Sequence, residues 1–306
     1  MQSLRLSLTK ALYTLVGMAG LVFAPAVAHA GAADAYYERA VMTDANQRCH
    51  LFTPALAAAL GAAQAQAHGA ALRSGMTNSD LDALARRAWT AAGSVSCASR
   101  DIAVAAQRVR TAFDGYSRME KMSFAGDTSA WSADRAVSAN VTRWQLSQAE
   151  PFGWNSLIFG IAGRGGDMAL IAVASFPDGG KPYGARLVMR DQARAPDPFL
   201  NIIRASSNGR LPLDARMPPS GATTAYFAQD RQAADASLLP RGARSGVAFR
   251  FPPAAGDAIA RLDPRESIAI EFLFADPSGG GDVTRTAYIE VGDYAAGRAF
   301  LASAQR

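Results

Sequence analysis

The feature that most constrains this chain is a change in the spacing of its apolar residues near position 140. Between residues 34 and 120 apolar side chains recur at every third or fourth position, and from Val141 onward they recur at every second. The first spacing lays a stripe along a helix; the second lays one face along a strand. A chain that makes this switch once segregates its helices from its strands, so the expected fold class is α+β. It would comprise an N-terminal helical bundle followed by an antiparallel β-sandwich or barrel with a C-terminal helix. An apolar content of 49% with 19% charged residues is enough to build such cores.

Within residues 31–120 four helices are expected. The first holds Tyr36, Tyr37, Ala40 and Val41 and ends near Cys49. Thr53 followed by Pro54 starts the second, because the hydroxyl accepts an orphan amide and proline suits the first helical position. That helix carries Leu56, Leu60 and Leu72 and stops at Gly75. Asn78 or Ser79 caps a third, with Leu81, Leu84, Ala85, Ala88, Trp89 and Ala92 on its stripe and Gly93 interrupting it. The fourth runs from Asp101 with Ile102, Ala105, Val109, Phe113 and Tyr116 on one side. So much alanine lets helices approach closely but buries little area, which at about 25 cal/mol per Å² makes a thin core.

Residues 121–140, rich in Ser, Ala, Asp and Thr, read as a linker. The β-rich region, 141–306, has strands at 141–148, 157–162, 168–176, 185–190, 223–228, 247–251, 267–274 and 286–291. The clearest alternation sets Ile268, Ile270, Phe272 and Phe274 against Ser267, Ala269, Glu271 and Leu273. Loops at 163–167 and 277–282 read as hairpins. Helices are expected at 254–262 and after Asp293, where Tyr294 and Leu301 share a face. Residues 196–221 hold five prolines and no period, which marks a long loop.

The first thirty residues follow signal-peptide grammar. Arg5 and Lys10 precede a 14-residue apolar run at 11–24, then Pro25 and Ala28, His29, Ala30, placing cleavage between Ala30 and Gly31. That run is too short for roughly 30 Å of hydrocarbon, and no later run offers an integral span after cleavage. The expected location is periplasmic, or alternatively secreted. In an oxidising compartment the two cysteines, Cys49 and Cys97, should pair, giving a disulfide-linked bundle. The bridge would stabilise by about 4 kcal/mol through loop closure. The spacing is not that of a C-x-x-C redox pair, and no zinc ligand set accompanies it.

Charge excludes one class of partner. Residues 31–150 hold 12 basic against 11 acidic side chains and residues 151–306 hold 17 against 15, so no basic face for nucleic acid is expected. The adjacent pair Arg86 and Arg87 reads as a solvated helix face.

Chemistry-bearing motifs are equally sparse. There is no G-x-S-x-G, and beyond the leader only His50 and His68 remain, which reads against a histidine-based triad. Gly163, Gly165 and Gly166, like Gly279 to Gly281, lack the Lys-Ser/Thr continuation of a phosphate loop and read as turns. Asp263, Glu266, Glu271, Glu290 and Asp293 cluster in sequence; Glu271 and Glu290 fall on the polar, solvent-facing sides of strands that could bring them together. Trp131, Trp144, Trp154, Tyr183 and Tyr226 read first as core, and second as the lining of a groove for sugar or peptide. No catalytic, cofactor-binding or metal-binding residue is assigned; the assigned positions are Cys49, Cys97 and the Ala30/Gly31 cleavage point.

Tyr36-Tyr37-Glu38-Arg39 through Cys49-His50-Leu51-Phe52-Thr53-Pro54 resembles the N-terminal region of an uncharacterised exported protein family of GC-rich Gram-negative bacteria. In topology the β part resembles the invasion-associated locus B family, through Val247-Ala248-Phe249-Arg250-Phe251, the helix with Ala258 to Leu262, the strands after it and Phe300-Leu301. That family carries its cysteines within the β domain, whereas here both lie in the helical part, so no site is carried over.

The expected function is that of a non-catalytic periplasmic or envelope-associated protein that binds an envelope protein or a small ligand, without a cofactor. Two alternatives stay open: a carboxylate-dependent hydrolase acting on an envelope polymer or small molecule, and a homo-oligomeric structural protein.

Overall fold

The computed structural model describes residues 24–200, 211–276 and 278–302, with side chains from Gly31 onward except that of Ser117. The expected leader falls mostly outside this range; α1 begins at Ala24 and runs through Ala30 and Gly31 to Cys49. Three further helices follow: α2 (Pro54–Arg73), α3 (Asn78–Ser94) and α4 (Arg100–Phe113). Thr53 caps α2, its hydroxyl accepting from the Leu56 amide. The cap of α3 is Thr77 rather than Asn78 or Ser79. Its hydroxyl accepts from the Asp80 amide at 3.1 Å while the Asp80 carboxylate accepts from the Thr77 amide at 3.2 Å, a reciprocal box. Ser99 caps α4.

α1 packs against both α2 and α3. The Cys49–Cys97 disulfide joins the end of α1 to the loop between α3 and α4, with 5.5 Å between the Cα atoms. The contacts are made mainly by Ala45, Ala59, Ala67, Ala71, Ala88 and Ala92, with Leu60, Leu72 and Leu81. Trp89 departs from expectation and is 71% exposed. Leu81, Ala88 and Ala92, seven and four apart, define the buried stripe of α3, and Trp89 lies one residue off it.

The β region is a sandwich of two antiparallel sheets. Its strands are β1 (Lys121–Phe124), β2 (Trp131–Asp134), β3 (Arg143–Phe152), β4 (Asn155–Arg164), β5 (Asp167–Ser175), β6 (Gly184–Arg190), β7 (Thr223–Phe227), β8 (Asp230–Ala233), β9 (Val247–Phe251), β10 (Ser267–Ala275) and β11 (Asp282–Glu290). One sheet has the order β1-β2-β3-β4-β5-β9-β8, the other β11-β10-β6-β7. The expected linker at 121–140 is a correction, since it contains β1 and β2, which extend the larger sheet beyond β3. Their four-residue length and Ser/Ala/Asp composition leave too short an alternation to register as strands. The unexpected β8 is exposed along its whole length and so has no apolar face to reveal it.

The interior is aromatic. Phe124, Trp131, Phe159, Phe249, Phe251, Phe272 and Phe300 are fully or nearly fully buried, and the ring contacts run continuously from Phe176 through Phe272 to Phe249. Two helices close the sandwich: α5 (Pro253–Ile259) and α6 (Tyr294–Ala302), with Tyr294 and Phe300 pointing into the core. α2 lies across α6 and contributes Ala62 to the same core, so the helical layer rests directly on the sandwich. At one lateral opening a side chain substitutes for strand pairing. The Gln148 amide on β3 accepts from the Glu290 N–H at 3.0 Å and donates to the Glu290 carbonyl at 3.3 Å, linking the two sheets.

Candidate functional site

Four of the acids that cluster in sequence, Asp263, Glu266, Glu290 and Asp293, lie at one end of the sandwich and around the seam with the helical layer, Glu271 lies mid-strand on β10, and each is engaged by an arginine. β11 ends at Glu290, and three residues later Asp293 meets α2. Arg73 donates to both Asp293 oxygens at 2.6 and 2.8 Å. One turn back along α2, Gly69 leaves the space this requires, because a Cβ there would overlap the Asp293 carboxylate. Burial holds the Asp293 carboxyl above its ordinary value, outweighing the Arg73 hydrogen bonds and charge that lower it.

Glu290 is the most heavily coordinated of these acids. The backbone amides of Asp127, Thr128 and Ser129 donate to it at 2.6, 2.8 and 2.9 Å. The Thr128 hydroxyl adds a bond at 2.7 Å and Arg216 another at 2.9 Å. Gly126 lets the loop come so close that a Cβ there would sit 2.6 Å from Oε2. Burial by itself raises the Glu290 carboxyl, but the bonds from Thr128, Ser129 and Asp127 outweigh it and hold the pKa below the ordinary value. The sequence reading placed Glu290 on a solvated face; it is fully buried, because the loop preceding β2 folds over the end of β11.

The remaining acids follow the same pattern. Arg190 forks onto Glu266 at 2.6 and 2.9 Å, and the Asp263 amide donates to the same carboxylate at 2.8 Å. Arg265 forks onto Asp263 at 2.9 and 2.8 Å. Glu271 pairs with Arg186 on the adjacent strand. Glu271 stands opposite Thr286 and Glu290 opposite Ser267, so the register of β10 and β11 keeps these two acids apart. A carboxylate absent from the sequence cluster does reach Glu290: Glu150 on β3 accepts from the Ser129 hydroxyl while the Ser129 amide donates to Glu290. Burial raises the Glu150 carboxyl, as does the charge of Glu290, against the lowering bond from Ser129.

Beside Asp293 lies a cleft of about 340 Å³ between the helical layer and the sandwich. Tyr36, Gln64 and His68 line it from α1 and α2; Arg261, Leu262 and Asp293 line it from the segments after α5 and β11. Tyr36 and His68 meet edge to face, with ring centroids 5.4 Å apart. Burial lowers the His68 pKa from its usual 6.5, against the opposing charges of Asp263 and Asp82, and the same burial, with Asp82 and Asp44, raises that of Tyr36. At neutral pH both therefore present uncharged donor and acceptor groups, with the exposed Arg261 at the rim. Alanines 65, 260, 295 and 296 make the remaining wall apolar. Such a lining suits a small molecule or side chain with a polar head and an apolar body.

The other residues singled out in the sequence are dispersed. His50 is exposed, with a left-handed backbone at the end of α1. Trp131 is buried and donates to the Val291 carbonyl at 2.9 Å, and Trp144 is half-buried and donates to the Leu238 carbonyl at 3.2 Å. Trp154 is 95% exposed, Tyr183 half-exposed and Tyr226 half-buried. Among the described residues no group of three His, Cys, Asp or Glu is placed to hold a metal ion. No described helix is long and apolar enough to cross a membrane. His68, Arg73, Arg216 and Glu150 were not identified by sequence reasoning as site residues, because their partners lie 21 to 220 positions away on other elements and no local pattern marks them. Comparisons of this chain with protein-family models, curated proteins and solved structures gave no match.

Proposed function

We propose that this is a non-catalytic, exported binding protein of the cell envelope, whose recognition site is the cleft between the helical layer and the sandwich. The observation that carries the reading is the state of the carboxylates. Glu266, Glu290 and Asp293 are buried and each is held by an arginine, with backbone amides added on Glu266 and Glu290, which gives them structural partners and leaves Tyr36, Gln64 and His68 as the neutral polar groups of the cleft beside the exposed Arg261. Export is supported by the leader grammar and by a disulfide of the kind that persists in oxidising compartments. In-cell crosslinking of the tagged full-length protein, capture from the envelope fraction and mass spectrometry provide the test. A bound species in near-equal amount that disappears with Tyr36→Ala and with Gly61→Trp, a bulky replacement at a glycine of α2 that also lines the cleft, supports the reading; recovery of the protein alone counts against it.

The hydrolase alternative has one favourable observation, the raised Glu150 beside the lowered Glu290, since acid and base work needs pKa values pushed apart. Glu150→Gln separates the two readings. Hydrolysis of envelope polymer that is lost in this variant would establish the enzyme, and unchanged capture of the bound species would favour the binding protein.

A further inference from the structure

The four outer strands of the two sheets differ in how they meet solvent. β1 carries Lys121, β8 carries Asp230 and Arg231, and β11 carries Asp282 and Arg285. β7 reads Thr-Thr-Ala-Tyr-Phe, without charge or proline. Free edges that stay in solvent are usually guarded by such residues, because an unpaired row of amides and carbonyls recruits another strand.

The hydrogen bonds show which groups of β7 pair with β6. The Asp191 amide donates to the Ala222 carbonyl and the Ala228 amide to the Ala185 carbonyl, both at 2.9 Å. With Arg190 opposite Thr223 and Arg186 opposite Phe227, the even-numbered residues exchange bonds with β6. Thr223, Ala225 and Phe227 therefore turn their amides and carbonyls outward, and among the described residues no strand pairs with them from that side. Their side chains share the outer face of the four-stranded sheet, where Ala225 is exposed and Phe227 is 59% exposed. Phe227 also walls a hollow on that face with Tyr183 and Leu273; Arg186 and Asp282 line it as well, so a mixed surface continues inward from the edge.

We propose that a second copy of this chain docks here, β7 against β7 in antiparallel pairing about a two-fold axis at Ala225. The outward row is self-complementary. It is neutral, so two copies do not repel, and its smallest side chain lies at the axis, where the copies approach most closely. Thr223 then faces Phe227 of the partner subunit at each end, a β-branched and aromatic pair of the kind that stabilises cross-strand contacts. Each outward residue exchanges both backbone bonds across the axis, and the two smaller sheets become one continuous sheet. The contact is isologous and closes on itself.

Sedimentation equilibrium of the oxidised protein across a wide dilution series tests this. The expected wild-type mass is twice that of one chain. Ala225→Pro removes an amide that faces outward, leaving pairing to β6 intact, and should halve the mass with little change in melting temperature. Ala225→Lys should do the same and keeps the test valid if the proline variant fails to fold. A wild-type monomer at every concentration overturns the proposal, as does a dimer that survives both substitutions. A monomer whose β7 edge instead accepts an extended peptide also overturns the second copy as occupant.

Discussion

The helical layer and the sandwich reach stability by different means. The layer is built from alanine: Ala45, Ala59, Ala67, Ala71 and Ala88 are almost wholly buried, but each removes little apolar area from water. It relies on caps, on the Cys49–Cys97 bridge and on its contact with α6. Among the described residues the sandwich buries eight large aromatic side chains almost completely and can hold arginine–carboxylate pairs in its ends besides. The contrast indicates where each region should fail: the first when a constraint is removed, the second when a buried charge loses its partner.

Glu290→Ala should produce the largest effect. It leaves Arg216 and three backbone donors over an apolar gap, with an expected loss of about 3–5 kcal/mol in urea unfolding. A loss below about 1 kcal/mol would mean that the charged end does not hold the sandwich. The pH dependence gives an independent check. Because the folded pKa of Glu290 lies below its ordinary value, its contribution is present above that value and lost as pH falls through the folded pKa. Glu290→Gln should flatten this acid limb.

Replacing both Cys49 and Cys97 by serine should cost about 2–4 kcal/mol. Hydrogen exchange locates that loss. Faster exchange in α1, α3 and α4 with β4, β5 and β10 still protected would sharpen the distinction between the regions, and equal acceleration in both would break it. Thr77→Ala removes the reciprocal cap of α3 and should cost about 1 kcal/mol, again confined to the helical layer. The smallest effect is expected at the seam. His68 has a lowered pKa, so the unfolded chain binds its proton more readily, and stability is lost as pH falls below about 6.5. His68→Gln should remove this dependence from the thermal melt, and a slope that persists would place it elsewhere.

The sequence allowed the fold to be read where a local pattern repeats for long enough. Thr53-Pro54 marks the start of α2, Val247–Phe251 is a strand with the expected bounds, and the alternation in Ser267–Ala275 puts Ile268, Ile270 and Phe272 inside. β1, β2 and β8 escaped because four residues make barely one alternation. Trp89 misled because its spacing of four from Ala85 and eight from Leu81 fits the expected stripe, whereas the buried line runs through Leu81, Ala88 and Ala92. The site was less legible. Glu290 alternates as a solvated residue should, and its burial depends on a loop from another part of the chain, at sequence separations above 160. The arginines have the same character: Arg73 and Arg216 become functional-looking only beside acids that no spacing rule associates with them.

The Arg73–Asp293 pair joins residues 220 positions apart, the most distant of the side-chain bonds described above. The helical layer and its disulfide are encoded early, but the anchor that seats α2 on the sandwich arrives only after all eleven strands have been made. During synthesis, therefore, α2 keeps its α6-facing side uncovered while Cys49 and Cys97 are already able to meet. The bridge can close before the layer's bed exists, and α2 is seated only once α6 has been added. A product truncated before α6 would carry a finished helical layer with one face bare, the kind of surface that folding surveillance recognises.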